Sequence, residues 1–217
     1  MPLRDMLRSS RRRLGLSPMQ GVLRELARRR INLKNLHAIE LFGGTGKFHT
    51  LDYAHHVGSM EIWEIDPGLE QPLRRNIPSA KIRITDTCAE LKNASKRYDL
   101  VVCDNPMSLY GRDNEHCEHF NLFPDIFNIL ADPAILVLNV IPSIDSRARR
   151  RFPYLFNERQ LAARARFYDT DHPEHIPLES LIARYTRLAA EHGYTVNWHF
   201  TTRRHFVWYL VVGVSCQ

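Results

Sequence analysis

Short runs of consecutive apolar residues recur along the chain, separated by stretches whose apolar positions fall three and four residues apart. LHAIELF (36–42) reads as a buried strand, and the segment after Lys47 as a helix. MEIWEID (60–66) is the next strand, with Pro67 at a first helical position and a helix running to about Asn76. KIRIT (81–85) alternates as a short strand does, DTCAELKNASK (86–96) reads as a helix capped by Asp86 or Thr87, and YDLVVCD (98–104) as an apolar strand. Helical spacing continues through CEHFNLFPDIFNILA (117–131), although Pro124 interrupts it, and AILVLNVI (134–141) is the most hydrophobic strand. LESLIARYTRLAAEHG (178–193) predicts an amphipathic helix ended by Gly193. YTVNWHFTT (194–202) and HFVWYLVVGV (205–214) predict an antiparallel hairpin linked through Arg203-Arg204. Strands alternating with helices imply a doubly wound, mostly parallel α/β sheet with helices on both faces, closed by that C-terminal hairpin.

Composition adds boundaries to this picture. Of 217 residues, 44% are hydrophobic and 25% charged, as in ordinary globular proteins, and no apolar run is long enough for a membrane helix. The N-terminus lacks the features of a secretory signal, and the four cysteines (Cys88, Cys103, Cys117, Cys216) lack CxxC spacing. Reduced thiols and a cytoplasmic location are expected. Residues 1–35 carry ten Lys/Arg against two Asp/Glu, a net +8, whereas the rest carry 20 against 22. This divides the chain into a basic, helix-compatible arm (1–35) and a near-neutral domain (36–214), with an Arg- and aromatic-rich insertion at about 144–177. A cationic arm suits a polyanion such as nucleic acid, and equally a solvated basic helix.

The candidate chemistry starts at IELFGGTGKFHT (39–50), where Gly43, Gly44 and Gly46 follow a strand. Glycines there let backbone approach a ligand. The spacing is neither the phosphate-binding GxxxxGK[ST] nor the dinucleotide-binding GxGxxG. Each strand also ends in a carboxylate: Glu40, then Glu64 and Asp66, then Asp86, then Asp104. Ligands of parallel sheets bind beyond the strands' carboxyl ends, where a carboxylate can accept both hydroxyls of a ribose. Each such acid also suits a helix cap.

The series ELFGGTG, EIWEIDP, RITD and VVCDNP, with the helix, strand and hairpin that follow, resembles a class I S-adenosylmethionine-dependent methyltransferase over roughly residues 36–214. The resemblance implies a seven-stranded sheet whose last strand is antiparallel and inserted beside the sixth, and S-adenosylmethionine as cofactor. It implies that Glu40, Phe42, Gly43, Gly44 and Gly46 form the cofactor loop and that Glu64, with Asp66, grips the ribose. Asp86 and Thr87 would then lie near the adenine, and Asp104 at the methyl-transfer site.

The methyl acceptor is less defined. DNPMSLYG (104–111) resembles the [DNS]PP[YFW] motif of amine methyltransferases, so that Asp104, Asn105 and Pro106 are candidates with Tyr110 as the aromatic. It departs from that motif, because Asn105 replaces the first proline and Met107 stands where the aromatic belongs; Tyr110-Gly111 also reads as a turn. His116 and His119 are candidates for a base or a substrate contact, and equally for a polar loop. With Glu118 and Glu115 or Asp113 they could also ligate a metal, but the spacing matches no strong metal motif, and no metal is expected. In the insertion, arginines interleaved with Phe152, Tyr154, Phe156, Phe167 and Tyr168 could bind phosphates and stack on bases, or pack onto the core. The expected function is a methyltransferase whose partner is RNA or DNA, held by 1–35 and 144–177. A small-molecule or protein acceptor, or a methyltransferase-like binding subunit without activity, is the alternative.

Overall fold

The computed structural model describes residues 17–104, 107, 109–204 and 206–217. Seven strands form one sheet: β1 (His37–Leu41), β2 (Ser59–Glu64), β3 (Lys81–Ile84), β4 (Tyr98–Cys103), β7 (Leu130–Val140), β8 (Tyr194–Arg204) and β9 (Val207–Cys216). Their order is β3-β2-β1-β4-β7-β9-β8, and β9 runs antiparallel to both neighbours while the remaining pairs are parallel. The last strand is therefore inserted beside the sixth. A two-stranded ribbon, β5 (Leu109–Tyr110) with β6 (His116–Cys117), stands apart from the sheet.

Both faces of the central strands are buried, which is why they read as continuous apolar runs, whereas the edge strands β3 and β8 are partly exposed. Ile39, Leu41, Val101, Cys103, Leu136 and Leu138 face one layer, which includes Leu181, Tyr185 and Leu188 of the amphipathic helix Leu178–Glu191. Ala38, Ile62, Leu100, Val102, Ile135 and Val137 face the other layer. That second layer contains Met19, Val22 and Leu26 from helix α1 (Pro18–Arg28), so the described part of the basic arm is packed into the domain. Ser17 caps α1 in a capping box with Gln20, and its hydroxyl donates to Asp52 at 2.8 Å. No helix among the described residues is long and apolar enough to cross a membrane.

Three segments differ from the expectation. After Lys47 the helix is one turn, α2 (Thr50–Tyr53). Residues 117–131 form 3₁₀ turns at Phe120–Leu122 and Asp125–Ile129 and then enter β7. Pro124 lacks the N–H that a helix needs there, and its ring obstructs the preceding turn. Arg203 and Arg204 continue β8, and Arg204 pairs with Val207, so the hairpin turns two residues later.

The insertion carries helices α5 (Ser146–Arg151) and α6 (Glu158–Tyr168). Most of its aromatics pack: Phe156 and Tyr168 are buried, and Phe167 stacks on Phe120 at 4.1 Å. Tyr154 is the exception at 59% exposure, beside the exposed Arg147, Arg149, Arg150 and Arg151.

Candidate functional site

A cleft of about 740 Å³ opens at the carboxyl ends of β1 to β4. It lies where β1 pairs with both β2 and β4, the crevice that open parallel sheets use for ligands. Glu40, Phe42, Gly43, Gly44, Glu64, Asp86, Thr87, Asp104, Tyr110 and His116 all line it. Residues from 40 to 116 thus converge on one cavity. Asn105 and Pro106 lie outside the described residues.

The glycine loop is shaped by packing on one side and by the cleft on the other. A Cβ on Gly43 would come within 2.2 Å of Ile62 Cγ2, so this backbone lies directly on β2. Gly44 has φ +55°, and a Cβ there would meet nothing within 4 Å, leaving open space above the loop. Its N–H donates to Glu64 Oε2 at 2.6 Å, while Glu64 Oε1 accepts from the N–H groups of Ile65 (2.9 Å) and Asp66 (3.0 Å). Each carboxylate oxygen offers two lone pairs, so Oε2 keeps one for a further donor.

Glu40 is buried at the base of the cleft. It accepts from Thr50 Oγ1 at 3.0 Å and from the Tyr53 hydroxyl at 2.7 Å, and has no cationic partner among the described residues. Burial pushes its carboxyl up to about 8; the Tyr53 hydrogen bond opposes this and Asp104 adds to it. The folded protein therefore keeps a proton on Glu40 between the ordinary value of 4.5 and about 8, where an unfolded carboxylate has lost it. Stability from this group is full below that window and declines as pH rises through it. Glu40→Gln removes the dependence. Its thermal midpoint should gain on the wild type between pH 6 and 9, a comparison that differential scanning calorimetry makes directly.

Asp104 is held on both oxygens. Oδ1 accepts from Asn139 Nδ2 (2.7 Å) and Arg204 Nη1 (3.2 Å), and Oδ2 accepts from the Tyr209 hydroxyl (3.1 Å). His49 Nε2 lies 3.8 Å from Oδ2. Asn139 Nδ2 also approaches Met107 Sδ at 3.1 Å, fixing that side chain beside the cleft. On the facing ribbon Tyr110 meets Phe42 edge-on at 5.6 Å and His116 at 5.2 Å, so the ribbon carries this aromatic to the cleft.

Three candidates fall elsewhere. Asp66 caps the turn at Pro67–Leu69 by accepting from Gly68 N at 2.8 Å. Gly46 packs toward Ile77 and Leu73. His119 is fully buried, hydrogen-bonded to the Tyr185 hydroxyl and surrounded by Phe120, Phe123 and Phe167. Burial and the nearby Arg164 charge lower its pKa to about 3, so it stays neutral inside the core and does not reach the cleft. Asp86 lines the cleft and also caps helix α4 (Thr87–Leu91), accepting from Cys88 N at 2.9 Å. The sequence reading missed Thr50, Ile65, Leu69, Cys88, Arg112 and Arg204, which also line the cleft. Of these only Thr50 had a signal, three positions before Tyr53 on the turn after the glycines. Among the described residues no cluster of His, Cys, Asp and Glu could hold a metal ion.

No protein-family sequence model matches the chain, and no curated protein matches it by sequence. Solved structures do match. Magnesium protoporphyrin IX methyltransferase from Synechocystis PCC 6803, with bound SAH, superposes at TM-score 0.57 with 12% identity over 92% of this chain and 82% of that one. The same enzyme has been solved with SAM. The ribosomal protein L11 methylase of Lactobacillus delbrueckii subsp. bulgaricus matches at TM-score 0.51 and 12% identity, over 93% of this chain and 79% of that one. TrmN from Thermus thermophilus matches at TM-score 0.51 and 14% identity, over 94% of this chain and 50% of that one. The chain has the Rossmann-like fold that these methyltransferases share.

Proposed function

We propose that the protein is an S-adenosylmethionine-dependent methyltransferase acting on nucleic acid, RNA or DNA. The observation that carries this reading is the convergence of four strand-end carboxylates, Glu40, Glu64, Asp86 and Asp104, on one cleft roofed by a glycine loop. The residues present suit the cofactor. Glu64 keeps one acceptor position for a ribose hydroxyl, and the space above Gly44 admits a ligand against backbone. Asp86, Thr87 and Cys88 border the part of the cleft proposed for adenine, with the exposed Ile65 (64%) as an apolar face. Glu40, without a cationic partner among the described residues, would lose its proton to face the cationic methionine end.

S-adenosylmethionine, when bound, supplies an electrophilic methyl group. The chain's own contribution is to orient the reactants and exclude water from the space between Asp104, Met107 and Tyr110. Asp104 is the candidate acceptor for an acceptor-group N–H or O–H, and His116 on the ribbon is the candidate base.

Nucleic acid as the acceptor is supported by the net +8 of residues 1–35 and by the exposed arginines of α5 beside Tyr154. Labelled S-adenosylmethionine incubated with the protein and separated RNA, DNA, protein and small-molecule fractions tests the reading. Label should enter a nucleic-acid fraction. Replacing Arg147, Arg149, Arg150 and Arg151 with Gln should weaken the transfer and flatten its salt dependence, since each lost phosphate contact removes about 0.7–0.9 from the log–log slope. Label confined to protein or small molecules would overturn the acceptor class.

A further inference from the structure

Arg204 is the last residue of β8, and its side chain lies inside the cleft with 26% of its surface exposed. Nη1 is committed inward, to Asp104 Oδ1 at 3.2 Å and to the Tyr209 hydroxyl at 3.3 Å. These two contacts use both Nη1 hydrogens. Nε and both hydrogens of Nη2 hold no hydrogen bond among the described residues. A half-buried guanidinium with three open N–H groups is costly unless a ligand or water satisfies them. The open Nε/Nη2 edge is the side-on fork that matches two oxygens of one oxyanion.

Acidic and basic side chains both line the cleft. Glu40, Glu64 and Asp86 line the end proposed for the cofactor, whereas Arg204 lies beside Met107 and Asp104. Arg112 is the other cation lining the cleft, on the ribbon with Glu115 and His116. His49, Asp104 and Tyr209 are titratable groups grouped with Arg204 among the described residues. Asp104 is already satisfied by neutral donors from Asn139 and Tyr209, so its charge does not consume the whole guanidinium. Asp104 and Tyr209 also hold Arg204 in its charged form, overcoming the effect of burial.

We propose that Arg204 receives an oxyanion of the methyl acceptor, a phosphate carried next to the methylated group, through Nε and Nη2. This rests on the methyltransferase reading of the cleft. Phosphate is favoured over carboxylate because Arg112 and the exposed arginines of α5 belong to the same end of the molecule. Ala148 and Phe152 of that segment pack in one cluster with Met107 and the hairpin residue Phe206. Arg203, one residue earlier, is exposed and stacks over Trp208 at 5.8 Å, so the neighbouring arginine does not share this environment.

The test titrates the full chain with nucleoside 5′-monophosphates, the matching nucleosides and benzoate, by calorimetry, with and without S-adenosylhomocysteine. Monophosphates should bind the wild type about tenfold or more tightly than nucleosides, as a charge-assisted fork requires. Arg204→Gln should abolish that preference and Arg204→Lys should keep part of it. Arg203→Gln, which removes the same charge one residue away, should leave it intact. Equal binding of both probe sets by the wild type, or a preference surviving in Arg204→Gln, would overturn the proposal. Stronger binding of benzoate than of any monophosphate, lost in Arg204→Gln, would support the oxyanion site and overturn phosphate as its ligand. The same samples report S-adenosylhomocysteine affinity separately: its absence alongside an Arg204-dependent preference would overturn the cofactor reading and leave the anion site standing.

Discussion

Replacing Glu64 with Ala should lower the affinity for S-adenosylmethionine by about tenfold or more, in calorimetric titrations of folded protein. Hydrogen bonds to a charged group contribute about 1.5–3 kcal/mol each, and each 1.4 kcal/mol is a factor of ten. A ribose hydroxyl donating to the open position on Oε2 would lose that bond. Glu64 also organises the cleft, because Gly44, Ile65 and Asp66 all donate backbone N–H groups to it. Truncation therefore loosens the glycine loop as well as removing a ligand contact. Glu64→Gln tests the charge separately. Its amide nitrogen must face one of these N–H donors, so it should fall between wild type and Ala. Affinity unchanged in Glu64→Ala would remove this residue from the cofactor site.

The second large effect concerns stability and lies away from the cleft. Arg164 and Glu118 form an ion pair at 2.6 Å in which both side chains are fully buried. The guanidinium also donates to the carbonyls of Pro173 (2.8 Å) and Ile141 (2.6 Å), and lies over Phe156 at 4.5 Å. Through these contacts one side chain ties α6 to the end of β7 and to the segment that follows the ribbon. Arg164→Met should cost about 3–5 kcal/mol, because it strands a buried carboxylate. For a chain of this length that corresponds to roughly 6–20 °C in thermal midpoint. The double variant Glu118→Gln with Arg164→Met should recover a substantial part of the loss. Equal losses in single and double variants would mean that the two carbonyl bonds, and not the stranded charge, dominate the cost.

The parts of the fold that were legible in the sequence are those governed by local pattern. The strands β1, β2 and β4 announce themselves as apolar runs because both faces of a parallel sheet are covered there, whereas the edge strand β3 alternates. Their terminal carboxylates and the glycines between them are close in sequence, so their convergence on one cleft follows from the doubly wound topology. Arg204, Asn139 and Tyr209 are different. They reach Asp104 from 35 to 105 residues away, and no local spacing announces them. His119 misleads for the opposite reason. It shares the polar stretch RDNEHCEHF with His116, yet Phe120, Phe123 and Phe167 close over it in the folded chain. In the basic arm, Met19, Val22 and Leu26 fall at helical spacing and are buried, while Arg24 and Arg28 on the same helix are exposed, so a narrow apolar stripe lies within a segment dominated by charge. The helical pattern of 117–131 failed on a single residue, Pro124.

The central claim, that this cleft is the seat of S-adenosylmethionine, is tested most directly by calorimetric titration of the full chain near pH 7 in two buffers of different ionisation enthalpy. One cofactor should bind per chain. Its cationic methionine end should ionise Glu40, whose carboxyl otherwise holds its proton up to about 8. Binding should therefore release a proton, seen as a buffer-dependent heat, and Glu40→Gln should abolish that dependence. The absence of saturable one-to-one binding in folded wild-type protein would contradict the claim.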